Sequence, residues 1–259
     1  MHCNPYTGAS MQLHEQYRPK CWGEVAGQSE ALAEVQAVLK RGWGGRAWWL
    51  TGLSGTGKTT IARLIAQEGA GEDGTEEIDA GRLTVNKLAE LERSMQFRSM
   101  FGKPGKAYIV NEAHGLSRAV IRELLVVLER LPEHVCVIFT TTAQGQKSLF
   151  EDSEDTAPLL SRCHVLELSS SSASRKAMAA RAKEIAVREG IDGLPESVYR
   201  DALDGCAGNM RKLLQRIESG GFKRDVAQRQ AWREEYDRLR NSHDPVSTER
   251  KKALLALLG

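Results

Sequence analysis

A chain of 259 residues, 41% hydrophobic and 27% charged, has the composition of a globular protein and room for one large α/β domain plus a small one. Its net charge of +2 is too small to argue for nucleic-acid binding in bulk, so any such role must rest on local patches. No apolar run approaches a membrane span, no signal peptide opens the chain, and the five cysteines are scattered without a CxxC pair. These features support neither a disulfide framework nor a zinc module, and a reducing cytoplasm is the plain expectation.

Residues 1–14 are polar and aperiodic and read as a flexible leader. Glu30 to Leu39 carries Leu32, Val35, Val38 and Leu39 at helical spacing and stops at Gly42. The apolar run Ala47-Trp48-Trp49-Leu50 predicts a strand, and Thr60 to Ala66 a helix. Further strands are predicted at Glu77–Asp79 (the weakest), Tyr108–Val110, Val135–Phe139 and His164–Leu168, alternating with helical stretches. That alternation predicts an α/β fold: a five-stranded parallel sheet between helices, over residues 15–168. The serine run 169–172 breaks the composition, and the rest reads as all-helical. Residues 169–220 hold three helices: Ala173 to Glu189, one with Pro195 in its first turn, and one striped by Met210, Leu213, Leu214 and Ile217. Residues 221–259 form a charged tail with helices predicted over Asp225–Leu239 and Thr248–Leu258.

Between the first strand and its helix lies Gly52-Leu53-Ser54-Gly55-Thr56-Gly57-Lys58-Thr59, a complete phosphate-binding loop in its required strand–loop–helix context. Its glycines let backbone N–H groups turn inward around a β-phosphate at the positive end of the helix. Lys58 is expected on the β- and γ-phosphates, the Thr59 hydroxyl on Mg²⁺, and Ser54, Thr56 and Thr60 along the same cradle. The strand Ala107–Val110 ends in Asn111-Glu112, where such loops usually have two acids. Asn111 can accept a hydrogen bond from metal-bound water but brings no negative charge; Glu112 stands in the catalytic base position. Among Thr140-Thr141-Thr142 after the central strand, Thr142 is expected to orient the hydrolytic water. Ser161-Arg162-Cys163 offers a guanidinium that can reach the γ-phosphate of a neighbouring subunit. Arg211, at the start of the third helix of the small domain, is expected to reach back toward the phosphates.

Together these elements resemble the AAA+ ATPases, and within them the clamp-loader subunits of DNA replication, over residues 15–220. Glu15-Gln16-Tyr17-Arg18-Pro19-Lys20 with Glu24-Val25-Ala26-Gly27-Gln28 is similar to that family's N-terminal signature. The resemblance implies an adenine pocket lined by Tyr17, Arg18, Val25 and Gln28. Asn111 to Ser117, Leu128 to Val135 and Leu159 to Cys163 continue the likeness in order and spacing. It implies ATP and Mg²⁺ as ligands, companion loader subunits in a pentameric assembly, a sliding clamp and primer–template DNA as partners, and Arg98, Lys103 and Arg118 as phosphate contacts. The chain departs from the bacterial tau/gamma pattern in three ways. Glu68 to Gly74 replaces a four-cysteine zinc module, so zinc is not expected; Asn111 replaces an aspartate; and residues 221–259 are short for a collar. Two other readings remain open: a nucleotide-binding scaffold subunit with little hydrolysis, and another DNA-associated motor such as a helicase loader.

Overall fold

A computed structural model describes residues 11–100, 102–152, 156–191, 194–241 and 244–258. The chain divides into two compact units, one spanning Arg18–Met178 and the other formed by the described residues of 1–17 and 179–259.

The larger unit is a five-stranded, all-parallel sheet. Its strands are β1 (Arg46–Thr51), β2 (Thr75–Asp79), β3 (Lys106–Asn111), β4 (Val135–Thr140) and β5 (Cys163–Glu167), in the spatial order β2-β3-β4-β1-β5. Around them run the helices α2 (Ser29–Leu39), α3 (Lys58–Gly69), α4 (Val85–Met95), α5 (Arg118–Glu129), α6 (Ala143–Asp152) and α7 (Thr156–Ser161); α1 (Leu13–Gln16), earlier in the chain, belongs to the other unit. Because both faces are covered, the inner strands read as unbroken apolar runs rather than alternating ones. The two-residue side-chain period then sorts each run between two cores. Trp48, Leu50, Ile109, Cys136 and Ile138 pack with Ile61 and Ile65 of α3, whereas Trp49, Val110, Val137 and Phe139 pack with Leu88 of α4 and Leu124 of α5. Trp48 and Trp49 are fully buried on opposite faces, and at ~25 cal/mol per Å² each contributes roughly 4–6 kcal/mol of gross burial.

The weakest strand expectation, Glu77–Asp79, is the edge strand β2; its side chains are mostly exposed, which is why its periodicity was faint. The segment before α2 is tied down by Gln28, which is 1% exposed. The Gln28 amide donates to the Ser169 carbonyl (3.0 Å) and to the Thr56 carbonyl (3.5 Å), and its oxygen accepts from the Ser169 N–H (2.9 Å).

The second unit is helical: the end of α8 (Ser172–Arg188), then α9 (Glu196–Gly205), α10 (Met210–Glu218), α11 (Gly221–Leu239) and α12 (Pro245–Leu258). Tyr199 stacks on Phe222 with centroids 4.9 Å apart, and the Arg216 guanidinium lies 4.9 Å from the Phe222 ring. The two tail helices begin earlier than their charge pattern predicts, and Glu235 on α11 pairs with Arg250 on α12 at 2.7 and 3.0 Å. Residues 1–10 of the expected leader lie outside the described residues. Residues 13 and 14 correct the rest of that expectation, since they begin α1, whose Leu13 is buried.

Candidate nucleotide site

β1 lies between β4 and the edge strand β5, and its C-terminal end opens at the strand-end edge of the sheet, where α/β sheets bind ligands. There the backbone reverses through Gly52, whose φ of +149° L side chains rarely adopt. A Cβ on Gly52 would come within 3.0 Å of the Leu168 side chain, so only glycine lets the loop lie this close to the end of β5. Gly57, at φ +101°, is the N-cap of α3, and open space surrounds the position of its missing Cβ. A helix N-terminus is thereby presented without side-chain obstruction, the arrangement an anion requires.

Lys58 opens α3 and is 8% exposed; its ammonium donates to the carbonyls of Gly52 (3.1 Å) and Leu53 (2.8 Å), so the cation is held over the loop. The Thr56 hydroxyl donates to the Leu53 carbonyl at 2.8 Å and holds the loop closed. Ser54 is exposed at its rim, and Thr60 is half-buried on the first turn of α3.

β3 brings the second group of residues. The Asn111 side-chain oxygen accepts from the Thr59 hydroxyl at 3.3 Å and from the Thr140 hydroxyl at 3.0 Å, joining the ends of α3, β3 and β4. Its nitrogen donates to Glu77 on β2 at 3.4 Å, and Glu77 receives both arms of Arg63 from α3. Glu112 is left-handed (φ 53°, ψ 49°), a conformation costing about 1–2 kcal/mol for a side chain of this kind, and it turns the carboxylate out of the strand. His114 Nδ1 lies 3.4 Å from the Glu112 carboxylate and 3.3 Å from the Thr141 hydroxyl.

The residues present suit a nucleoside triphosphate with Mg²⁺: a cationic anchor in Lys58, an N–H cradle, and neutral oxygens from Thr59 and Asn111, with Glu112 alongside on the same strand end.

The comparisons follow the same lines. Residues 48–152 match the family described as ATPases associated with various cellular activities (AAA). That match spans the phosphate loop and the strands from within β1 to β4. It is 32% identical over 153 residues to the DNA polymerase III subunit gamma of Buchnera aphidicola from Acyrthosiphon pisum, a match covering 50% of this chain and 42% of that protein. It is 31% identical over 153 residues to the DNA polymerase III subunit tau of Escherichia coli K12, covering 50% and 24%. The chain therefore spans less than half the length of these curated relatives. Among solved structures, the Thermotoga maritima RuvB Holliday junction branch migration motor aligns with a TM-score of 0.60 at 21% identity, covering 78% of this chain and 64% of that one. At that identity the likeness shows the fold alone.

Beyond the phosphate loop, some expected residues have other roles. Thr142 accepts a hydrogen bond from the Gly145 N–H at 3.0 Å and caps the start of α6; the hydroxyl beside Asn111 belongs to Thr140. The Gln28 amide is committed to backbone groups of Ser169 and Thr56. Val25 is half-buried and packs against the α3-side core. Arg18, also half-buried, opens the larger unit, whereas Tyr17 belongs to the helical unit and donates to Glu189 at 2.7 Å. That hydrogen bond, with burial second, raises the Tyr17 pKa. Arg162 is paired with Glu129. Arg211 is exposed on α10, in the helical unit. Arg98 and Arg118 are exposed, while the Lys103 ammonium is bound to the carbonyls of Gln67 (2.7 Å) and Glu68 (3.0 Å) and caps the C-terminal end of α3. Among the described residues no group of three or more His, Cys, Asp or Glu is gathered as for a metal ion, and no helix is long and apolar enough to cross a membrane.

Sequence reasoning missed Glu77, Arg63 and Thr140. The alternation of β2 placed Glu77 and Asp79 on one face, but nothing local identified β3 as its partner.

Proposed function

We propose that this chain is an ATP-dependent clamp-loader subunit, which helps open a sliding clamp and place it on primer–template DNA. The gathering of Lys58, Thr59, Asn111 and Glu112 at adjoining strand ends carries the ATPase half of this reading. The identity to the gamma and tau subunits of DNA polymerase III supports the loader half.

In this scheme the loop N–H groups and the Lys58 ammonium bind the β- and γ-phosphates of ATP. Thr59 and, through water, Asn111 hold Mg²⁺, which when bound neutralises charge on the phosphate oxygens. Glu112 polarises the attacking water, and Thr140 keeps Asn111 in place from the opposite side. Arg162 from a neighbouring subunit stabilises the charge that develops as the terminal P–O bond breaks. Companion subunits complete a pentameric ring, and Arg98 and Arg118 contact DNA phosphates without reading bases.

A second reading rests on one observation: Asn111 brings no charge where an acid is usual. A scaffold subunit would bind nucleotide, turn it over slowly, and act by donating Arg162. ATP turnover by the purified chain, alone and with companion subunits, clamp and primed DNA, separates the two. Stimulation by clamp and DNA is expected of the loader; tight nucleotide binding with no turnover in any mixture would establish the scaffold instead.

A further inference from the structure

The amide of Asn111 has three neighbours, and they do not make equal demands. Thr59 and Thr140 are hydroxyls, which can donate or accept as required. Glu77 is a carboxylate and can only accept. Of the two ways the amide can lie, one sets its N–H₂ against Glu77 and its oxygen against both threonines, and every contact is then a donor–acceptor pair. The other sets a carbonyl oxygen against a carboxylate and turns the N–H₂ toward Thr59, where it would use the hydroxyl lone pairs. Arg63 fixes the arbiter in position: its Nη2 donates to Glu77 Oε2 at 3.1 Å and its Nε to Oε1. Glu77 and Asn111 can meet because β2 and β3 pair Glu77 with Ile109 and Asp79 with Asn111, on the face that also receives α3.

We infer that Glu77 is a positioning residue of the nucleotide site: held by Arg63, it selects the Asn111 amide orientation that offers an oxygen toward Thr59 and leaves the Thr59 hydroxyl oxygen available to Mg²⁺. This rests on the proposed ATP site and deepens it. It also gives a reason for an amide at this position, since an aspartate at 111 would face the Glu77 carboxylate across 3.4 Å. An amide satisfies two hydroxyls and one carboxylate at once, which an acceptor-only side chain cannot do.

The decisive experiment exchanges the charges of the pair, Arg63→Glu with Glu77→Arg. The ion pair and the net charge survive, but position 77 now presents donors to Asn111 and favours the reversed amide. Binding of a fluorescent ATP analogue is titrated with Mg²⁺ and, separately, in EDTA, with thermal melting as a check on folding. The exchanged variant is expected to need roughly tenfold more Mg²⁺ for half-maximal binding, with its affinity in EDTA unchanged within about twofold. Adding Asn111→Asp, which presents oxygens to both sides, is expected to restore the Mg²⁺ response. If the exchanged variant keeps the native Mg²⁺ requirement, Glu77 does not position Asn111 and the inference is overturned. If the native chain binds no nucleotide at all, the site reading itself falls and takes the inference with it.

Should the exchange prevent folding, Glu77→Gln supplies the second arm. The side-chain ¹⁵N–¹H resonances of Asn111, identified by their loss in Asn111→Asp, are expected to move upfield as the carboxylate acceptor is lost. Unchanged resonances would overturn the inference.

Discussion

Arg162 and Glu129 are joined within one chain. Arg162 Nε donates to Glu129 Oε1 at 3.1 Å, Nη2 donates to the same oxygen, and Nη1 donates to the Pro158 carbonyl at 2.8 Å. The pair sits at the surface, with the two side chains 30% and 57% exposed, where such ion pairs are worth only about 0.2–1 kcal/mol. A phosphate bound in a guanidinium fork exceeds that, so in the proposed assembly the contact can be exchanged for a nucleotide on an adjoining subunit. Arg162→Ala is expected to leave nucleotide affinity of the isolated chain unchanged and to lower turnover of the assembled complex by about 10³-fold. Glu129→Gln, by loosening the pair, is expected to raise turnover by roughly two- to fivefold. Steady-state phosphate release in the presence of companion subunits, clamp and primed DNA measures both, and full activity of Arg162→Ala would remove it from the mechanism.

Lys58 is the most direct test of the nucleotide site. It is nearly buried and already drawn onto the loop carbonyls, so the cation lies over the cradle before any phosphate arrives. Lys58→Ala deletes that charge and is expected to weaken binding of a fluorescent ATP analogue by at least about 100-fold, as the loss of charge-assisted contacts to two phosphates requires. Equilibrium titration followed by analogue fluorescence checks it, and an affinity equal to that of the native chain would refute the loop assignment.

Much of this site was legible because phosphate binding is written in local sequence. Gly52, Gly57 and Lys58 are fixed by the turn they must make, and the inner strands declare themselves as unbroken apolar runs. Contacts that depend on strand order are different in kind. Neither the closeness of Glu77 to Asn111 nor that of Thr140 to the same amide follows from spacing, since both arise from the β2-β3-β4 adjacency. The threonine run shows the limit well. Three hydroxyls in a row look alike in sequence, yet Thr140 ends the strand toward Asn111, Thr141 is buried near His114, and Thr142 caps α6. Lys103 misled for the same reason, because a basic loop residue gives no sign that a helix end lies within its reach.

Glu112 carries a backbone cost that can be measured. Its left-handed φ of 53° suits glycine far better than a side chain with a Cβ. Glu112→Gly is expected to raise unfolding free energy by about 1 kcal/mol while abolishing turnover, and Glu112→Gln to abolish turnover with stability and ATP affinity retained. Urea unfolding and phosphate release on the same preparations test the pair of outcomes. A glycine variant less stable than the native chain would show that the conformation is not strained.

Alkaline pH should expose the buried thiols. Burial pushes Cys136 up to about 12 from an ordinary value of 9.0, with Arg46 and Trp48 opposing weakly, and it pushes Cys163 up to about 12 as well. Well below pH 9 both thiols are protonated whether the chain is folded or not, and their contribution to stability is fully present. Between about 9 and 12 the unfolded chain releases those protons and the folded chain retains them, so unfolding is favoured by up to ~1.4 kcal/mol per pH unit for each thiol. Tyr108, raised mainly by burial, adds to the same trend at the upper end of that range. The urea midpoint is therefore expected to hold steady from pH 7 to about 8.5 and then to fall, and Cys136→Ala to flatten part of the decline. A midpoint that stays level through pH 10.5 would mean that Cys136 ionises freely, and hence that water reaches the start of β4, contrary to its full burial between β1 and β3.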